Sequence, residues 1–275
     1  MQTRKIIKRW LPPAVIESIV PFLKRANCYS GNYSDWAAAS AQASGYDAEL
    51  ILEKVKQAVL KVQSGTAVYE RDSVLFDHVE HSYPVLAGML RAAAENDNHL
   101  SVLDFGGSLG SSYFQCRDFL SVVDDLQWGI VEQDNFVRCG RDNLETGQLQ
   151  FFYTVEECLQ HMTPNMVLLS SVLQYVESPA RVLEELMGTD VPYIIVDRTP
   201  FSSVLDDRIT VQHVPPSIYS ASYPCRIFSR QRFLALVQDH FEVIAGFDSN
   251  DAGASANGLE FTFSGMILRK RSCRA

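Results

Sequence analysis

From residue 101 onward the chain alternates short apolar runs with segments of helix length, and no other feature limits its fold so tightly. The runs are "SVLDF", "WGIVE", "LQFFY", "MVLLSS" and "YIIVD". Their apolar residues are continuous rather than alternating, which is the pattern of strands covered on both faces, and each spacer can hold the crossover that parallel neighbours require. The spacers also begin as helices should. Thr154 and Glu157 stand in capping-box register, Ser178 and Pro179 supply an N-cap and a first-turn proline, and "RQRFLALVQDHF" follows Ser229. The chain closes on "FEVIAGFDS" and "LEFTFSGMILRK", joined over 250–258 by a connection suited to a β-hairpin. Together these predict an α/β protein with a doubly wound, mostly parallel, seven-stranded sheet.

The region before the sheet reads differently. In "DAELILEKVKQAVLKVQ", residues 47–63, the apolar positions fall at helical spacing with charges opposite, and a second helix is expected from Tyr83 to Ala94. Residues 29–98 therefore read as a helical extension or cap on a domain spanning 99–275. Residues 1–28 form an arm whose first 25 residues carry net +5, leaving −14 on the rest of a chain of net −9. That balance excludes sequence-independent nucleic-acid binding, which needs a dense positive footprint. Prolines 12, 13 and 21 interrupt the arm, so it lacks a transmembrane run, and Glu17 with those prolines spoils a secretory signal. Contact with an anionic membrane surface or a partner complex is the role its charge suits. The six cysteines stand singly, with no ligand-like spacing to histidine. A reduced cytoplasmic protein without a metal site is expected, at most peripheral at the inner membrane surface.

The first run opens onto "VLDFGGSLGSS". A loop there sits at the carboxyl end of the sheet, where Gly106, Gly107, Ser108 and Gly110 let a ligand approach backbone N–H groups. The dinucleotide fingerprint G-x-G-x-x-G is not met, since Gly106 to Ser111 reads G-G-S-L-G-S. Asp104, directly before the loop, would repel a pyrophosphate and attract the cationic end of S-adenosylmethionine (SAM). Glu132 ends the second run with Gln133 beside it, placed to accept hydrogen bonds from ribose hydroxyls. Adenine is expected near Phe152, Tyr153 and Thr154, with Ser170 and Ser171 beneath the methionine part. A tight turn without a ligand is the bland alternative for the loop, and an exposed strand-end carboxylate for Glu132.

Five parallel strands closed by a terminal hairpin is the layout of class I methyltransferases, a Rossmann-like fold. "VLDFGGSLGSSY", "WGIVEQ", "VLQYVESP", "VDRTPF", "VQHVPPSIYSASYPCRIFS" and upstream "YERDSVLFD" resemble a bacterial family of SAM-dependent methyltransferases, some associated with surface-polysaccharide gene clusters. The resemblance covers roughly residues 29–270. It implies a class I fold, SAM as cofactor and methyl transfer, and it carries no acceptor with it. Relative to the pattern D-x-G-x-G-x-G, Ser108 replaces the middle glycine.

Methyl transfer to a hydroxyl requires a positioned acceptor and a base for its proton. Asp197, ending the fifth run, is the expected base. Arg198 beside it would bind an acidic acceptor or pair with Asp207, and Tyr175 follows the fourth run. His213 is a weaker candidate. The 200–228 insertion is long, proline-rich and aromatic, and reads as an irregular substrate lid. Gln174, Thr199, Gln212, Tyr219, Tyr223 and Arg226 are expected to line the acceptor pocket, with Tyr69 and Arg71 covering it from upstream. Tyr and Arg interleaved in this way suit a small polar or saccharide acceptor. The competing function is a non-catalytic SAM-binding module in a polysaccharide-assembly complex. An NAD-dependent sugar-modifying enzyme is weaker, since no Tyr-x-x-x-Lys accompanies the loop. Nothing in the sequence sets the oligomeric state.

Overall fold

The computed structural model describes residues 28–44, 48–215, 221–249, 251 and 253–271. The arm of residues 1–25 and Tyr219 lie outside these. The five apolar runs form β4 (His99–Phe105), β5 (Asp125–Val131), β6 (Leu149–Phe152), β7 (Met166–Ser170) and β8 (Tyr193–Ser202). They pair in parallel in the spatial order β6-β5-β4-β7-β8. Continuous apolarity has the expected cause, because Val102, Leu103, Val167, Leu169 and Ile194 to Val196 are all fully buried between the helical layers. Each such side chain contributes roughly 1.5 to 3 kcal/mol by leaving water.

The last run, β13 (Leu259–Lys270), enters antiparallel between β8 and β11 (Phe241–Asp248). The core order β6-β5-β4-β7-β8-β13-β11 makes this a doubly wound, Rossmann-like α/β fold, with the reversed strand supplied by the terminal hairpin. Helix α4 (Ser111–Cys116) follows β4, α5 (Asp134–Asn143) follows β5, α6 (Val155–His161) follows β6, α7 (Pro179–Met187) follows β7, and α8 (Arg230–Val237) precedes β11. Thr154 caps α6 by accepting the Glu157 N–H at 3.0 Å, but the Glu157 carboxylate takes the N–H of Tyr153 rather than that of Thr154 itself. Ser178 occupies the N-cap of α7 without a side-chain hydrogen bond, and Ser229 caps α8.

The expected seven-stranded core is present, and among the described residues the sheet extends beyond it to eleven strands because the insertion is not irregular. Its β9 (Arg208–His213) and β10 (Ser222–Ser229) pair antiparallel, β10 joins the end of β8, and β1 (Tyr29–Tyr33) adds to β9; the remaining extra strand is the short β12 (Ala254–Ala256), paired with β13. Proline is tolerated at position 224 because β10 meets β8 only at Phe228 and Ser229, leaving the other edge without a ladder there. The extension 29–98 is likewise not purely helical. Besides α1 (Trp36–Ser40), α2 (Ala48–Gln63) and α3 (Tyr83–Ala94) it holds β1 and a hairpin of β2 (Tyr69–Arg71) and β3 (Val74–Phe76). Asp72 and Ser73, with φ of 52° and 65°, form its tight turn. No described helix is long and apolar enough to cross a membrane.

Candidate active site

Three neighbouring strands, β4, β7 and β8, each deliver a non-glycine residue in the left-handed region at or just past the carboxyl edge: Ser108 at φ 54°, Ser171 at 57° and Arg198 at 51°. Such conformations cost free energy and persist where the surroundings over-determine them. After β4, Gly106 (φ 71°) donates its N–H to the Val131 carbonyl at 2.9 Å, and a Cβ there would strike Val172. At Gly107 a Cβ would lie 2.5 Å from the Asp104 carboxyl. Ser108, at the middle glycine position of D-x-G-x-G-x-G, thus holds a left-handed backbone that glycine adopts more readily.

Asp104 lies beneath this loop, 1% exposed, and accepts the Trp128 indole N–H at 3.0 Å. Burial raises it to about 7 against the Trp128 hydrogen bond, with Glu132 pushing the same way as burial. It holds the loop from below instead of facing open space. Glu132 ends β5 partly exposed and accepts the N–H groups of Gln133, at 2.6 Å, and of Ser108. Burial raises its carboxyl as well. Gln133 and Thr154 sit at the N-caps of α5 and α6.

At β8 the strand bulges. Val196 pairs with Met266 and Thr199 with Ser264, so Asp197 and Arg198 together oppose Gly265, where a Cβ would meet the Phe247 ring and the Val196 carbonyl. Asp197 is 5% exposed and accepts the hydroxyls of Ser249 at 3.1 Å and Ser170 at 3.4 Å. Burial raises its carboxyl despite the attraction of Arg198. The guanidinium of Arg198 does not meet Asp207. It meets Asp72 of the β2–β3 turn at 2.6 Å and Asp251 at 3.0 Å, and with both acids it clasps the hairpin to the sheet edge. Asp207 pairs with Arg226 instead, at 3.6 Å.

Asp197 and Arg198 border a cleft whose water-accessible volume is about 30 Å³. Asp197, Arg198 and Ser170 form its floor, Ser111 and Ser112 at the start of α4 one wall, and Tyr69 and Arg71 the roof. Of the expected site residues, Asp197, Arg198, Ser170, Tyr69 and Arg71 are thus brought together. Ser171, Gln174 and Thr199 lie behind the floor. The Gln174 amide donates to Ser171 and to the Arg198 carbonyl, and the Thr199 hydroxyl donates to the Asp197 carbonyl. Tyr175, Gln212, Tyr223 and Arg226 do not line the cleft. Tyr175 donates to Gln212 at 2.9 Å and packs edge-on against Tyr223, while Arg226 donates to the Glu177 carbonyl and stands over the Trp36 ring.

Glu70, expected with Tyr69, Arg71 and Asp72 either to cover the cleft or to form a solvated turn, had no individual role in the sequence. It is 1% exposed, accepts the Ser111 hydroxyl and the Ser73 N–H, and burial raises it to about 7. Glu80, Ser82, Gln115 and Asp251 also border the cleft. The polar density of "YERDSVLFD" was the available signal for the hairpin, and its partner in α4 is reached only through the fold. Among the described residues no cluster of potential metal ligands occurs.

No family model matches the chain, and no curated protein does. Solved structures resemble it at low identity. The N-terminal domain of EvdMO1, crystallised in the presence of SAH and D-fucose, is 14% identical with a TM-score of 0.47, covering 80% of this chain and 97% of that one. Magnesium protoporphyrin IX methyltransferase from Synechocystis, with bound SAH, is 14% identical with a TM-score of 0.43, covering 69% and 81%. The mitomycin 7-O-methyltransferase MmcR is 13% identical with a TM-score of 0.42, covering 68% and 53%.

Proposed function

We propose that the chain is a SAM-dependent methyltransferase acting on a hydroxyl or amine of a small polar or saccharide-type acceptor. The observation that carries this reading is the convergence of a glycine cradle, three left-handed backbone residues and a buried carboxylate, Asp197, at one sheet edge beside an open cleft. The cradle fits the cofactor. Gly106 and Gly107 keep the loop free of side chains, and Glu132 retains the exposure needed to accept ribose hydroxyls. When bound, SAM supplies a methyl group already activated as a sulfonium.

The chain's own residues then have two tasks. The cleft walls hold the acceptor, which converts an encounter into an oriented reaction. Asp197, kept above the ordinary carboxylate range by burial and fixed by Ser170 and Ser249, takes the acceptor's proton. The clasp of Asp72, Arg198 and Asp251 occupies the guanidinium, which favours a neutral or cationic acceptor over an anionic one. Cytoplasmic residence and a place in polysaccharide assembly fit this reading, as does contact of residues 1–25 with an anionic membrane or partner.

Titration calorimetry with S-adenosylhomocysteine tests the cofactor. Binding should be measurable in the wild type and weakened by Glu132→Ala, which removes charge-assisted hydrogen bonds of about 1.5 to 3 kcal/mol each at most. Absence of heat at about millimolar ligand would reject the assignment.

A further inference from the structure

The cleft has room for about two water molecules, so no acceptor enters while its borders stand as they do. Its floor stands on β7 and β8 of the main sheet, and its wall on α4, whose Tyr113, Phe114 and Cys116 are buried. The roof is held differently. Tyr69 and Arg71 belong to a hairpin whose strands, three residues each, pair only with one another among the described residues. An element with so short a ladder, tied to the rest by side chains, is the border that can lift at least cost.

A continuous chain of contacts runs from the tip of that hairpin to the proposed base. Asp72 holds the Arg198 guanidinium at 2.6 Å. The Arg198 N–H donates to the Ser249 hydroxyl oxygen at 3.0 Å, and that hydroxyl donates to Asp197 Oδ1 at 3.1 Å. Arg198 stands at φ 51° inside the β8 bulge, a conformation that a non-glycine residue keeps only where several contacts fix it. The clasp by Asp72 and Asp251 supplies such contacts. With Asp72 withdrawn, Asp251 is left to hold the guanidinium, and the backbone is freer to relax toward extended geometry, which carries the amide away from Ser249 and loosens Ser249 on Asp197.

We infer that Asp72 is a positioning residue through which closure of the β2–β3 hairpin fixes the side chain of Asp197, so that the base is set only when the roof is down. The inference rests on the methyltransferase reading, which gives Asp197 its task. Lifting the hairpin to admit an acceptor breaks the Asp72–Arg198 pair, and its return restores the pair and the orientation of Asp197 together. Entry and base placement thereby become two ends of one motion, in which closure completes the reacting constellation. Proton removal is then confined to the covered cleft, where little water remains to compete for the carboxylate.

Two measurements on the full chain test the two ends, comparing Asp72→Asn, which keeps the turn residue's shape and removes its charge, with Asp72 itself. Opening is read in a Ser112→Cys background, which places a thiol on the cleft wall, by the rate of iodoacetamide labelling followed by peptide mass spectrometry. Asp72→Asn should raise that rate about two- to fivefold, the range that an ion pair with one exposed partner supports. Base placement is read by NMR without the cysteine. Exchange of the Arg198 amide should rise by a similar factor, and the Asp197 side-chain carboxyl ¹³C resonance should move while that of Asp104, held by the Trp128 indole, stays in place. Unchanged labelling would overturn the gate. Faster labelling with an unmoved Asp197 resonance and unaltered Arg198 exchange would make Asp72 a latch alone and overturn its positioning role. Calorimetry with S-adenosylhomocysteine on the same samples separates the two readings. Coupling without cofactor binding removes the methyltransferase reading and keeps the link from hairpin to Asp197, whereas cofactor binding without coupling removes the link alone.

Discussion

Gly107 and Asp197 are the two residues whose surroundings define their roles most tightly. A methyl group at Gly107 would lie 2.5 Å from the Asp104 carboxyl, which is itself held by the Trp128 indole. Gly107→Ala should therefore cost about 1 to 3 kcal/mol by overpacking, read by chemical denaturation, and it should shift the Trp128 fluorescence as Asp104 is displaced. Ser108→Gly should by contrast be nearly neutral, within about 1 kcal/mol, because φ is already 54°. Asp197→Asn keeps shape and removes charge. It should preserve S-adenosylhomocysteine affinity and lower turnover on a verified acceptor by roughly 10²-fold or more. Turnover within a few-fold of wild type would show that Asp197 is not the base. Gly107, Asp104 and Asp197 were legible in the sequence, because a carboxylate before a glycine loop and one at a strand end are local patterns. The setting of Glu70 was not, since its hydrogen-bond partner Ser111 lies 41 residues away.

At the scale of elements, local pattern served the parallel strands well and the insertion poorly. Fully buried strands write themselves as apolar runs, so β4 to β8 and the terminal hairpin could be placed before any contact was known. β9 and β10 are only half-buried, carry Pro224, and are stabilised by pairing with each other and with β1, far away in sequence. That pairing turned an expected lid into an extension of the sheet. The β2–β3 hairpin instead roofs the cleft, held by Glu70 to α4 and by Asp72 to Arg198. Asp72 is 64% exposed, so its ion pair contributes little to global stability, at most about 1 kcal/mol. Asp72→Ala should accordingly leave the unfolding midpoint nearly unchanged while raising amide hydrogen exchange over residues 69–76. Unaltered exchange there would mean that the Asp72–Arg198 pair does not hold the hairpin.

For the whole molecule, the carboxyl edge of the sheet concentrates acids that folding removes from water. Glu70 and Asp104 are both raised to about 7, chiefly by burial, and Glu132 and Asp197 are raised for the same reason. An acid raised in the folded state binds more protons there than in the unfolded chain, so its contribution is present below the unfolded value and lost as pH climbs through the folded one. Asp35, held low by the Ala38 N–H, and Glu242, held low by Arg269, act in the opposite sense, but their window lies below the ordinary carboxylate range. The unliganded protein should then lose stability steadily between about pH 5 and 8, with Glu70 contributing of order 3 kcal/mol at most across that interval. Glu70→Gln removes one of the titrating groups and keeps a hydrogen-bond acceptor for Ser111, so its profile should be flatter and its stability at about pH 8 closer to that at pH 5. A cationic ligand that places positive charge near these carboxylates offsets the same cost, so stabilisation by SAM should be larger at the alkaline end than at the acid end. Thermal midpoints of wild type and Glu70→Gln, each measured with and without SAM across this range, give both slopes, and a wild-type midpoint that is flat or rises toward about pH 8 would show that Glu70 and Asp104 are not held protonated by the fold.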